Sequence, residues 1–213
     1  MKLIVKHKEP KEWVEYRNTP NVSYESKPFL REALYDEQGG ICAYCMRRLD
    51  DEHDRSTVSS NKIEHLKSQS TCTREEAMDY SNMVLCCNGQ IAGSACENTH
   101  CDTHKGEDEI HFSPFDGSFI QSVSYKHDGT ILSDHQIWNN DLNVVLNLNQ
   151  AMLVENRHAA LKGLANTMGK GKWGKAEINR QISNFSNRDA NGLYKPYCEM
   201  IVWFLRKRLS KMK

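Results

Sequence analysis

The sequence predicts an α+β fold, a small cysteine-stapled core of short strands and helices followed by a helical, basic extension. Three observations predict it. Cys42-x-x-Cys45 stands ahead of a strand-like segment, and Cys86, Cys87 and Cys101 stand behind it. Short stretches of strand and helix character fill the chain to about residue 135, and helical periodicity takes over beyond that. The charge is also polarised. Lys and Arg number 28 against 28 Asp and Glu, yet residues 157–213 hold 13 basic and 3 acidic residues, leaving 15 basic and 25 acidic for residues 1–156.

The elements follow in order. Lys27 to Gln38 reads as a helix with Phe29, Leu30, Ala33 and Leu34 on one face, closed by Gly39-Gly40. Lys62 to Leu66 has strand character, and Thr73-Arg74-Glu75-Glu76 is a capping-box start for a short helix. Met83-Val84-Leu85 reads as a second strand, and an irregular polar stretch runs from Asn88 to His100. Phe119 to Leu132, with Asp128-Gly129 inside it, predicts a β-hairpin. Asn149 is a fit cap for a helix with the stripe Leu153, Arg157, Ala160, Leu161, Leu164 and Met168. Gly169 to Gly174 reads as a connector, a further helix spans Ala176 to Phe185, and a last one starts at Pro196. The expected organisation is therefore an N-terminal segment and helix (1–40), a core with cysteines and hairpin (41–135), and a helical basic extension (136–213).

Hydrophobic residues make up 38% and aromatic residues 8% of the 213, enough for a packed core and against wholesale disorder. The apolar run at the start is broken by charge at Lys2 and Lys6, which argues against a secretory signal, and Met200 to Leu205 is too short to span a bilayer. The expectation is a cytoplasmic protein with no membrane contact, where thiols stay reduced and eight cysteines suggest metal before disulfides. Cys42, Cys45, Cys87 and Cys101 are the expected ligands of a structural zinc, with Cys86 as the alternative to Cys87. Cys96 or His100 could substitute, because thirteen residues separate Cys87 from Cys101. Cys72 and Cys198 read as structural, and Trp138, Trp173 and Trp203 as packing residues. Gly169-Lys170-Gly171-Lys172 lacks the spacing of a phosphate-binding loop.

Between the cysteine pairs lie Ile63-Glu64-His65-Leu66, then Asn82, then Cys101-Asp102-Thr103-His104-Lys105-Gly106. This run resembles HNH endonucleases, and most closely the HNH subunits of Septu-type and retron-linked anti-phage defence systems. Glu9-Pro10, Gln38-Gly39-Gly40-Ile41-Cys42-Ala43-Tyr44-Cys45, Cys87-Asn88-Gly89, and Leu146-Asn147-Leu148-Asn149 with Arg157 carry the closer likeness. The resemblance implies a zinc-stapled ββα-metal (HNH) core and a metal-dependent endonuclease. It also implies a phage-defence complex with a Septu-type ATPase, to which a retron reverse transcriptase and its RNA–DNA product could be added. The resemblance also implies a role for each residue, and the needs of phosphodiester hydrolysis (an activated water, a Lewis acid and a stabilised leaving oxygen) support those roles. A neutral imidazole is the natural base near pH 7, so His65 takes the proton of the water. Glu64 would ligate catalytic Mg²⁺ or Mn²⁺, although in a regular strand it points away from His65. Asn82 would hold the loop and fix the His65 ring, and Lys105 could contact phosphate. Asp102 occupies the third ligand slot, with His104 as the alternative. The substrate is nucleic acid, DNA in preference to RNA. The rival readings are a zinc-stabilised nucleic-acid-binding module without catalysis and a tethering subunit.

Overall fold

Pro28 has no N–H to leave unpaired in a first helical turn, and Gly39 accepts a left-handed φ of 61°; between them runs a helix, Pro28–Gln38. In the computed structural model, which describes residues 1–54, 56–90, 98–169 and 173–212, this is the second helix, α2, after α1 at Lys11–Arg17. Leu30 and Leu34 of α2 are buried as its periodicity predicts, with Phe29 packed at the margin. Its last residue, Gln38, is buried too, and its amide does the work of a neighbouring strand. Nε2 donates to the Leu85 carbonyl at 2.8 Å, while Oε1 accepts from the Leu85 N–H at 2.7 Å.

Leu85 belongs to β2, Met83–Cys86, which pairs antiparallel with β1, Lys62–His65. The register is continuous, with Glu64 opposite Val84 and His65 opposite Met83. All four residues of β2 are buried. Gln38 and the Ala43 N–H close its outer edge, whereas β1 has no strand partner but β2 among the described residues. The connection carries α3, Arg74–Ala77, opened by the expected capping box: the Thr73 hydroxyl accepts from the Glu76 N–H, and Glu76 returns a bond to the Thr73 N–H. A 3₁₀ turn, Tyr80–Asn82, then leads into β2. The short helix α4, Asp102–Lys105, follows the loop. Much of the stretch expected to be irregular, including Cys96, lies outside the described residues.

The expected hairpin is half helix. Gly117–Ser122 forms α5, because the Asp116 side chain caps the Ser118 N–H and Phe119 is fully buried from a helical turn. Only β3, Val123–Tyr125, and β4, Ile131–Ser133, pair across the turn. Gly129 there has φ 96°, and a Cβ would meet the Val154 carbonyl at 2.2 Å, so the turn must carry glycine. Gln136–Asn140 forms α6, which winds into a π turn at Asp141–Val145.

Three helices complete the chain: α7 at Ala151–Met168, α8 at Lys175–Ser186 and α9 at Cys198–Leu209. The cap of α7 is Gln150, not Asn149. The Asn149 amide is occupied with both backbone groups of Ile131, holding β4 in place of capping. The last helix begins two residues beyond Pro196, after Tyr197 takes a left-handed φ of 58°. The expected Gly-Lys connector falls largely on residues 170–172, outside the described residues. Helices α8 and α9 pack as a pair, and α9 lies on β3. Trp13, Tyr44, Leu85, Phe119, Leu153 and Ile201 belong to one core cluster, drawn from all three expected segments. Trp138, Trp173 and Trp203 pack against it as expected. Among the described residues no helix is long and apolar enough to cross a membrane.

Candidate metal centre and active site

Four cysteines converge beside the β1–β2 hairpin. The Sγ atoms of Cys42, Cys45, Cys87 and Cys101 all lie within 4.8 Å of one another, and all four residues are buried. Cys42 to Cys101 is 3.9 Å and Cys45 to Cys87 is 3.7 Å. Tetrahedral zinc with bonds of about 2.3 Å needs sulfurs about 3.8 Å apart, so this is a site that can hold a metal ion such as zinc. The knuckle at Cys42 is shaped by backbone bonds from Cys42 N to Arg47 O and from Met46 N to Cys42 O. Cys101 adopts φ 56°, unusual for a residue with a Cβ, and its N–H is held by the Leu146 carbonyl at 2.9 Å. Asn147 adds a bond to the Thr99 carbonyl, and the Arg157 guanidinium binds the carbonyls of Gly129 and Leu148. The Leu146 to Asn149 motif and Arg157 therefore brace the loop that delivers Cys101. The buried ring of His100 lies with Nδ1 3.2 Å from the Cys101 sulfur, beside the four thiols and outside the set. Cys86 is buried next to them, and burial pushes its thiol up.

Cys101 is followed at once by Asp102, so the same loop reaches a second centre. A cleft of about 350 Å³ is lined by Lys62, Ile63, Glu64 and His65 in succession, with Asp102, Lys105 and Tyr24. Four consecutive residues of a strand can line one cleft because it runs along the free edge of β1, and the unbroken register rules out a bulge as the cause. The Glu64 carboxylate is buried. Its Oε1 accepts from the Tyr44 hydroxyl at 3.1 Å and lies 3.1 Å from Lys105 Nζ. Burial raises this carboxyl to about 8, with the neighbouring Asp102 raising it further and Lys105 opposing. Asp102 Oδ2 in turn lies 3.7 Å from Lys62 Nζ.

His65 is 2% exposed. Its Nε2 lies 3.0 Å from the Ala77 carbonyl, which can only accept, so Nε2 carries the proton and Nδ1 keeps a lone pair. Nδ1 lies 3.0 Å from the Gln69 amide nitrogen, and the Tyr24 ring stands edge-on to the imidazole at 4.5 Å. Burial lowers the histidine below its ordinary value, which keeps the ring neutral at pH 7. Asn82 does not touch this ring. Its Oδ1 accepts from the Lys67 N–H at 2.9 Å and its Nδ2 donates to the Glu76 carbonyl at 3.2 Å, tying the end of β1 to α3. It acts on His65 through α3, whose last residue is Ala77.

Of the two alternatives for the third position, Asp102 lines the cleft, while His104 Nδ1 pairs with the Thr99 hydroxyl at 3.1 Å and is not part of the lining. Lys105 lines the cleft from a buried position, committed to Glu64. Tyr24, Gln69, Ala77, Tyr44 and Lys62 complete the surroundings without having been singled out in the sequence. Lys62 alone carried a signal there, two residues before Glu64 in a strand and hence on its face. No protein-family model matches the chain, and no curated protein matches it.

Proposed function

We propose that the chain is a metal-dependent HNH-type endonuclease, with the β1–β2 hairpin and α4 forming a ββα-metal core. The observation that carries this reading is the His65 tautomer. A buried imidazole has its Nε2 proton tied to a carbonyl and its Nδ1 lone pair, held only by the Gln69 amide, as the acceptor for a proton, in one cleft with the Glu64 and Asp102 carboxylates. Two carboxyl groups meet in one cleft, and their oxygens suit a hard divalent cation, so the residues fit such an ion. Glu64 and Asp102 would hold Mg²⁺ or Mn²⁺, which would supply Lewis acidity and charge neutralisation to the phosphodiester. His65 Nδ1 takes the proton of the attacking water, and exposed Gln69 gives up its bond to let that water in. Asn82 and Ala77 keep the ring aimed. Tyr24 packs against the ring.

Zinc in the four-thiolate site is the structural partner of this chemistry, since Cys101 and Asp102 are consecutive. DNA is the proposed substrate, with RNA the alternative, and a Septu-type ATPase the proposed partner. The test is cleavage of plasmid and of structured RNA by purified protein with Mg²⁺ or Mn²⁺, alongside His65→Ala. Metal-dependent cutting that disappears in the variant supports the reading. Cutting that persists at the wild-type rate removes His65 from the mechanism, and nucleic-acid binding without cleavage under any cation returns the protein to a binding module.

A further inference from the structure

In the cleft as it stands, two carboxylates face two ammonium groups. Lys105 is the unusual member. Its side chain is 2% exposed and that of Glu64 is 6%, with 3.1 Å between Nζ and Oε1. Its other bond, to the Gly106 carbonyl, is long at 3.4 Å, so Glu64 is the main anchor for this charge. Lys62 plays the same part at Asp102 from a more exposed position, 3.7 Å from Oδ2 and 2.7 Å from the Thr103 hydroxyl. The oxygens that suit a dication thus already have lysines against them. A dication placed on Glu64 would sit against a buried ammonium with little water to screen the two.

Taking the cleft as the metal-dependent site, we propose that Lys105 holds the place of the divalent cation on Glu64 and is displaced into the cleft when that cation binds, where the substrate's phosphodiester anion receives it. Lys105 is a substrate-binding residue in this scheme. It couples two ligands that share no atom of it at the start. The cleft offers the outlet, since Lys105 and Gly106 both line it. Helix α4 is only four residues long, and Gly106 ends it at φ 55° with open space around the position of an added Cβ, so the helix end has room to shift. Cation and phosphodiester then bind cooperatively, and by linkage each raises the affinity for the other equally.

The full chain carrying its zinc is titrated with Mn²⁺, free Mn²⁺ being read by electron paramagnetic resonance, with and without dithymidine phosphate in a His65→Ala background that does not cut. Lys105→Gln should bind Mn²⁺ about tenfold tighter than Lys105 protein without the dinucleotide, because no ammonium has to leave. It should also lose most of the tightening that the dinucleotide gives the Lys105 protein. The neutral methylphosphonate dinucleotide should give no tightening in either. Lys105→Met, which keeps the packed stem, replaces the Gln variant if that one does not fold. If both melt early, Mn²⁺ should restore their melting temperature by more than it raises that of the Lys105 protein. Equal or weaker Mn²⁺ binding in the neutral variants, or no such rescue, overturns the placeholder and leaves the nuclease reading standing. Mn²⁺ binding that survives Glu64→Gln overturns both.

Discussion

At the scale of single residues, the candidate site depends on who holds whom. His65 has one ring nitrogen on the Ala77 carbonyl and the other on Gln69, so its base form is fixed before substrate arrives. His65→Ala should lower cleavage about a hundredfold to ten-thousandfold, with an unchanged circular dichroism spectrum as the control. For the third ligand, Asp102→Ala should cost far more activity than His104→Ala, because the imidazole is turned away onto Thr99. A His104→Ala protein as impaired as the Asp102 variant in single-turnover cleavage would reverse that assignment. The sequence exposes Glu64, His65, Asn82 and Asp102 because their types and order are unusual. It hides Gln69, Ala77 and Tyr24, since a backbone carbonyl and an edge-on ring leave no mark in residue type. Lys105 is visible as a lysine, yet its burial against Glu64 depends on where α4 lands.

At the scale of elements, local signals succeed where the chain answers to itself and fail where a distant segment competes. The Thr73 capping box forms as written, because both of its bonds lie within four residues. Asn149 has the chemistry of a cap, but Ile131 offers it two backbone bonds from across the hairpin, and Gln150 takes the capping role. Phe119 and Ile120 are residues that strands favour, and Asp116 overrides that preference from outside the run by capping a helical turn. Thr73→Ala should destabilise the protein by about 1 kcal/mol in urea denaturation. It should also slow cleavage severalfold, because α3 carries the carbonyl that orients His65. A stability loss without any rate loss would show that Ala77 is held by Asn82 and the rest of the loop alone.

At the scale of the whole molecule, the charge polarity sets the terms for substrate and partner. The basic surplus lies in the stretch that holds α7, α8 and α9, with Arg206, Lys207 and Arg208 exposed at the end of α9. The cleft lies in the acidic part. Isolated protein should therefore bind nucleic acid weakly and with steep salt dependence, and a partner should be needed to present it. Co-expression with a Septu-type ATPase followed by size-exclusion chromatography should give one shared peak; two peaks at micromolar concentration, with full activity in the smaller species, would reject the complex. Elemental analysis should find about one zinc per chain, and Cys45→Ser should lose that zinc and the folded state together. The direct peptide link from Cys101 to Asp102 has a consequence in time. A cation on Glu64 and Asp102 would sit in an open cleft, whereas a metal ion among the four thiolates would be sealed in the core. A chelator should therefore silence the proposed nuclease in two episodes. The first would be over within seconds and undone by adding Mg²⁺. The second would be slow, and Mg²⁺ alone would not reverse it, because the loop that places Asp102 would have lost its pin.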